Sequence, residues 1–197
     1  MKIEIKHRFT GAVIFSVEAV SMREAVEAAL AAGCNLIGAD LIGADLTGAD
    51  LAGCDLRDCN LTGCNLTYAD LSGCDLSGAD LSGCNLEDAD LTGCDLTGCN
   101  LGDVPVVPDL HRRMEEVTRT EGALDMGDWH TCETTHCRAG WAIRLAGEAG
   151  TKLERKIGSA AAGALIYAAS TGIVPDFCAT DAAARADIEK CAKKAAR

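Results

Sequence analysis

A mainly β solenoid, capped by a β-hairpin and a helix and followed by an α-helical domain, is the fold class the sequence predicts. Three observations predict it. Leucine recurs every five residues from Leu36 to Leu101, fourteen times without a gap. Asp or Asn precedes each of these leucines, and Ala or Cys stands two positions before it. Residues twenty apart also match: Cys34, Cys54, Cys74 and Cys94 form one column, Ala49, Ala69 and Ala89 a second, Gly53, Gly73 and Gly93 a third. A period of five fits neither the 3.6 of a helix nor the 2 of a strand. It requires a coil that turns inward at every fifth residue.

The unit Ala/Cys–Asp/Asn–Leu–x–Gly resembles the pentapeptide-repeat family over 70 of the 197 residues. That resemblance implies a right-handed quadrilateral β-helix with four repeats per coil. Leucine and Ala/Cys would face inward and the other three positions outward. Residues 34–103 would then make about 3.5 coils, roughly 17 Å long at a strand-like spacing of ~4.8 Å per coil.

Within this frame the Asp/Asn row alternates in one column, as Asp40, Asn60, Asp80, Asn100. Alternation separates charges that would otherwise stack one coil apart, and Asn side chains allow amide ladders. Eight of the twelve cysteines lie in the repeats. Parallel stacking points their sulfurs the same way, so free thiols are expected, as in a reducing cytoplasm. Met1–Lys6 alternates charged and apolar residues and lacks the apolar run of a secretory signal.

An open solenoid end needs a cap. In residues 1–33, Ile3 and Ile5 alternate with charged neighbours, Thr10-Gly11 marks a turn, and Val13, Phe15 and Val17 alternate again, which predicts a hairpin. Ser21 and Glu24 match a capping box. Met22, Val26, Ala29 and Leu30 make an apolar helix stripe that Gly33 ends. After the repeats, Val104–Pro108 reads as an extended linker with two prolines. Residues 109–197 read as an α-helical domain, with helices expected at 109–119, 136–149, 152–170 (with a break at Gly158) and 180–195. The uncharged run 157–174 is too rich in Ala, Gly, Ser and Thr to span a membrane.

Charge narrows the function classes. Residues 34–103 hold thirteen acids against the single base Arg57, which leaves −12, the whole formal charge of the chain. The remaining residues balance, with seventeen acids and seventeen bases. Direct nucleic-acid binding by the repeats is disfavoured, since phosphate recognition needs Lys or Arg. Proteins with a basic, DNA-binding surface are the expected partners. Where glycine is replaced at the corners, Asp58, Tyr68, Asp88 and Asp103 stand out. Tyr68 shares one face with Glu87 and Asp88, and exposed Tyr favours interfaces. Asp58, Tyr68, Glu87 and Asp88 are therefore the candidate partner-binding residues.

The helical domain carries a polar cluster from Asp128 to Trp141. His130, Cys132, His136 and Cys137 are potential zinc ligands, although their spacing matches no standard pair set. Cys137 at a helix start beside His136 is alternatively a reactive thiol. The third reading makes Trp129 and Trp141 core anchors and the Cys and His residues local packing. Residues 123–190 resemble a segment that follows pentapeptide repeats in bacterial and phage proteins. That resemblance implies such an origin and no activity.

Some members of the family protect type II topoisomerases by mimicking duplex DNA. Roughly 17 Å of B-DNA carries about ten negative charges, close to the charge of these repeats. Against this, the acids divide almost evenly over four faces. The family resemblance also implies dimerisation through C-terminal helices. The expectation is a non-enzymatic protein-interaction module, with a structural or assembly scaffold as the alternative and thiol or zinc chemistry in the helical domain as a weaker one.

Overall fold

Each repeat turns its corner just after the leucine. In the repeat around Leu46, the Ala49 N–H donates to the Leu46 carbonyl over 3.0 Å. Gly48 between them has φ +62°, the left-handed value a type II turn demands of its third residue. That requirement is why glycine recurs at this position. The side chain before the leucine holds the same corner, because Asp45 Oδ1 accepts the Thr47 N–H at 3.1 Å. This Asx turn recurs from Asn35 to Asn100 and explains the restriction to Asp or Asn.

Successive coils then pair in parallel. The Asn60 N–H donates to the Ala39 carbonyl and the Leu41 N–H to the Asn60 carbonyl, both at 2.9 Å. Bridges offset by twenty residues run from Asp40 and Asn60 to Asp80 and Asn100. The geometry is a β-helix whose interior is leucine. Every repeat leucine from Leu36 to Leu96 is at most 3% exposed, each such burial stabilising by about 1.5–3 kcal/mol.

The computed structural model describes residues 1–119, 138–157, 159–171 and 181–195. The chain divides into two units, Met1–Asp103 and Val104–Arg197.

In the first unit, β1 (Lys2–His7) and β2 (Val13–Glu18) form an antiparallel hairpin with Ile5 opposite Phe15. Helix α1 (Met22–Ala31) follows. Ser21 Oγ accepts the Glu24 N–H, and Glu24 Oε2 reaches back to the Val20 N–H at 2.9 Å. Gly33, with φ +71°, closes the helix. Its N–H reaches the Leu30 carbonyl, and the Cys34 N–H reaches that of Ala29, a Schellman ending. The hairpin joins the coil directly, since β1 pairs antiparallel with β3 (Ala39–Asp40) in the order β2-β1-β3. Arg8 Nη1 donates to the carbonyls of Asp58 and Cys59, and Arg23 Nη1 to that of Thr47. At the other end the rhythm stops one residue early. Gly102, not Asp103, takes the positive φ.

In the second unit, α2 (Leu110–Thr118), α3 (Arg138–Leu145), α4 (Gly147–Ile157), α5 (Ser159–Thr171) and α6 (Asp181–Ala195) are helical. The helix expected over 136–149 is instead divided at Gly147. Its φ of +66° ends α3, and α4 begins there rather than at Lys152. The expected break at Gly158 falls on a residue outside those described. Gly163 lets α5 approach α3 closely, because a Cβ there would collide with Ala139. Trp141 and Tyr167 are buried, and the Tyr167 hydroxyl contacts Met114 Sδ at 3.4 Å. Among the described residues no helix is long and apolar enough to cross a membrane.

Candidate interaction surface

The outer surface of the β-helix is built from the Asp/Asn row and the residue after each leucine. In several repeats that residue is Ser or Thr and its hydroxyl also donates to the carboxylate, as Thr47 does to Asp45 at 2.6 Å and Ser77 to Asp75 at 2.6 Å. These hydroxyls hold Asp45, Asp70, Asp80 and Asp95 below the ordinary aspartate value of 3.8, Thr47, Ser72, Ser82 and Thr97 being the respective donors. These four side chains are thus carboxylates at neutral pH.

Asparagine interrupts that charge as the alternation predicts. Asn60 Nδ2 donates to Asp40 Oδ1 at 3.0 Å, and Asn100 Nδ2 to Asp80 Oδ2 at 3.1 Å. Two columns lack this relief: Asp50, Asp70 and Asp90, and Asp55, Asp75 and Asp95. The second of them receives Arg57. Its Nε and Nη2 clamp Asp55 at 2.8 and 2.7 Å, and Nε lies 3.6 Å from Asp75. The guanidinium pulls the Asp55 carboxyl down. The Asp50 column has no such base among the described residues.

Three of the four candidate residues fall on two corner columns. Tyr68 and Asp88 stack one coil apart above Gly48, and Glu87 adjoins Asp88. Asp58 belongs to the column of Gly38, Gly78 and Gly98. Asp58, Tyr68 and Asp88 all hold positive φ, at +56°, +59° and +52°. Asp tolerates this conformation, whereas for a bulky residue such as Tyr it is strained. The Tyr68 side chain is 64% exposed. The structure therefore brings Tyr68, Glu87 and Asp88 together and leaves Asp58 in a separate column. Its carboxylate lies over Gly78, where a Cβ would collide with it.

The repeat cysteines, expected only as inward-facing free thiols, have a second role as hydrogen-bond donors. Cys64 Sγ donates to the Leu41 carbonyl at 2.8 Å, and Cys74, Cys84 and Cys94 donate likewise to Leu51, Leu61 and Leu71. Each bond reaches twenty-three residues back, to a carbonyl that already accepts a turn N–H. All described cysteines are free thiols. Burial pushes Cys64 up to about 11, and Cys59, Cys84 and Cys99 up to about 12.

Trp129, His130, Cys132, His136 and Cys137 lie outside the described residues. Among the described residues no three His, Cys, Asp or Glu side chains converge to hold a metal ion.

The profile for pentapeptide repeats matches residues 28–63 and 64–103, in eight copies. The chain belongs to the pentapeptide-repeat family. Solved pentapeptide-repeat structures similar to it include one from the Arabidopsis thaliana thylakoid lumen, at 37% identity and TM-score 0.34, covering 34% of this chain and 47% of that one. QnrB1, a plasmid-mediated fluoroquinolone resistance protein, is 32% identical with TM-score 0.34, covering 37% of this chain and 35% of its own. A pentapeptide-repeat protein from Nostoc is 36% identical with TM-score 0.25, covering 39% of this chain and 71% of that one. The chain thus spans less than half the length of the first two. Comparison with curated proteins gave no match.

Proposed function

We propose that this pentapeptide-repeat protein is a non-enzymatic interaction module whose acidic β-helix engages a partner with a basic, DNA-binding surface, in the sharpest form as a DNA mimic against an enzyme such as a type II topoisomerase. One observation carries the reading. The entire formal charge of −12 resides in residues 34–103, and there the carboxylates line the outside of a leucine-filled coil. Steering of a basic partner by such a surface follows from its field. Tyr68, Glu87 and Asp88 form the centre of the contact, because Tyr68 combines exposure with a conformation that folding alone disfavours. Asp58 is a peripheral contributor. A right-handed coil of about 3.5 turns would display charge at nearly the linear density of duplex DNA, and dimerisation would double the length.

The test is inhibition of DNA supercoiling by a bacterial type II topoisomerase. The wild-type protein should inhibit, and a folded variant carrying Tyr68→Gly, Glu87→Gln and Asp88→Asn should inhibit at least tenfold less. Failure of the wild type to compete with DNA at any of several topoisomerases and nucleases would remove the mimic reading. The division into two units favours a second reading, a scaffold in which the repeats space and present Val104–Arg197. On that reading the triple variant keeps full function.

A further inference from the structure

The sheet that joins the hairpin to the coil stops at an open edge. In the order β2-β1-β3, Asp40 of β3 also pairs in parallel with Asn60 on the next coil. One run of paired strands therefore passes from Asn100 through Asp80, Asn60 and Asp40 to β1 and ends at β2. Among the described residues β2 pairs with β1 alone.

The phase of the ladder shows which backbone groups that edge presents. Met1 and Ala19 exchange both N–H···O bonds, each at 3.0 Å. Antiparallel pairs alternate between this bonded kind and an unbonded kind. Ile3–Val17 and Ile5–Phe15 are therefore bonded pairs, and the N–H and C=O of Ser16 and Glu18 point away from β1. Sheet edges are commonly blunted by Lys, Pro or a bulge. β2 reads Val-Ile-Phe-Ser-Val-Glu, with neither Lys nor Pro, and its register shifts only at the loop end, beside Val13. Its one charge, Glu18, lies 3.5 Å from the Met1 amino group. Val13 within the strand and Val20 just beyond it are exposed.

We propose that the β2 edge binds a second copy of this chain, β2 against β2 in antiparallel register with Ser16 on the twofold axis. Charge favours that occupant. Residues 1–33 hold four bases and four acids, whereas residues 34–103 carry −12. A basic partner is drawn to the repeats, while two neutral caps meet without the repulsion that keeps the repeats of two copies apart. The register is self-complementary, as a twofold interface requires. Ser16 meets the second copy's Ser16 in a bonded pair. Phe15 meets Val17, Val13 meets Ala19, and the exposed Val20 meets Ala12. Glu18 falls opposite Ile14, so no two carboxylates oppose each other. The joined sheet runs β3-β1-β2-β2-β1-β3 and sets the two acidic repeat columns at its opposite ends. Dimerisation through the N-terminal cap, rather than through C-terminal helices, supplies the doubled charged length of the mimic reading.

The experiment is sedimentation velocity of the full chain under reducing conditions. Wild type should sediment as a dimer. Ser16→Lys sets two ammonium groups face to face and should weaken association by about tenfold or more, as should Ser16→Glu with two carboxylates. An equimolar mixture of the two variants should recover a dimer of one Lys and one Glu chain. Ser16 is exposed, so these variants keep the fold, which far-ultraviolet circular dichroism checks. Under mild oxidation Ser16→Cys should crosslink to itself, because a bonded pair holds its Cα atoms ~5.5 Å apart, within disulfide reach; peptide mapping identifies the bond. A monomeric wild type overturns the proposal, as does separate dimerisation of Ser16→Lys and Ser16→Glu with wild-type affinity. No DNA-binding enzyme takes part in these readouts, so their failure is distinct from failure of the partner reading.

Discussion

The Tyr68 N–H donates to the carbonyl of Glu87, 2.9 Å away on the next coil. This single bond fixes an exposed aromatic ring beside the carboxylates of Glu87 and Asp88. It also commits Tyr68 to a left-handed backbone that its neighbours Gly48, Gly63 and Gly73 adopt without strain. The surface is thus built at a point where the fold's local preference is overridden.

Relief of that strain is measurable. Tyr68→Gly should stabilise the protein by about 1 kcal/mol, since a left-handed L-residue costs ~1–2 kcal/mol and the exposed ring contributes little packing. Tyr68→Ala keeps the Cβ and should not stabilise. Urea unfolding of the two variants distinguishes them, and equal stability for both would refute the strain assignment.

Arg57 is the only base among the repeats, and it neutralises part of the Asp55–Asp75 column. Its ion pairs are solvent-exposed, so Arg57→Ala should change stability by less than ~1 kcal/mol. If charge drives association, the same variant should bind a basic partner faster at low salt, by a few-fold. Stopped-flow association rates check this.

Acid should weaken the fold in a defined window. Hydroxyl donors hold Asp45, Asp70, Asp80 and Asp95 below 3.8 when folded. Their contribution is therefore complete above pH 3.8 and is lost as pH falls through the lower folded values. Asp80→Asn keeps the acceptor oxygen of the turn, as Asn60 and Asn65 do, but cannot titrate. Its melting temperature should fall less steeply below pH 3.8 than that of the wild type.

The interior should answer differently to its two residue types. Leu61→Ala leaves a cavity in a buried row and should cost ~3–5 kcal/mol. Cys64→Ala loses one thiol–carbonyl bond at a position that alanine fills elsewhere, and should cost about 1 kcal/mol. Chemical denaturation of the pair tests which row holds the coil.

Much of this was legible because the repeat repeats its own physics. Leucine at every fifth position and glycine at most corners reappear as buried row and positive φ, without long-range information. The Asn60–Asp40 bond was legible for the same reason. Other features depend on partners distant in sequence. Nothing local marks Lys6 and His7 as partners of Asp40 and Ala39, or Arg8 as a clamp on Asp58 and Cys59. Cysteine at an alanine position hid its hydrogen bond, because the acceptor lies twenty-three residues earlier. The signal was there in the shared column, read as size rather than as a donor. In the helical unit, Gly147 was absorbed into an alanine-rich run, and helix periodicity alone gave no reason to stop at it.

The salt dependence of topoisomerase inhibition tests the account most directly. An acidic coil that competes with DNA for basic side chains should lose inhibitory potency steeply, by at least tenfold between ~50 and ~200 mM salt. Potency unchanged over that range would contradict the claim that the carboxylate rows of Asp45 to Asp95 make the interaction.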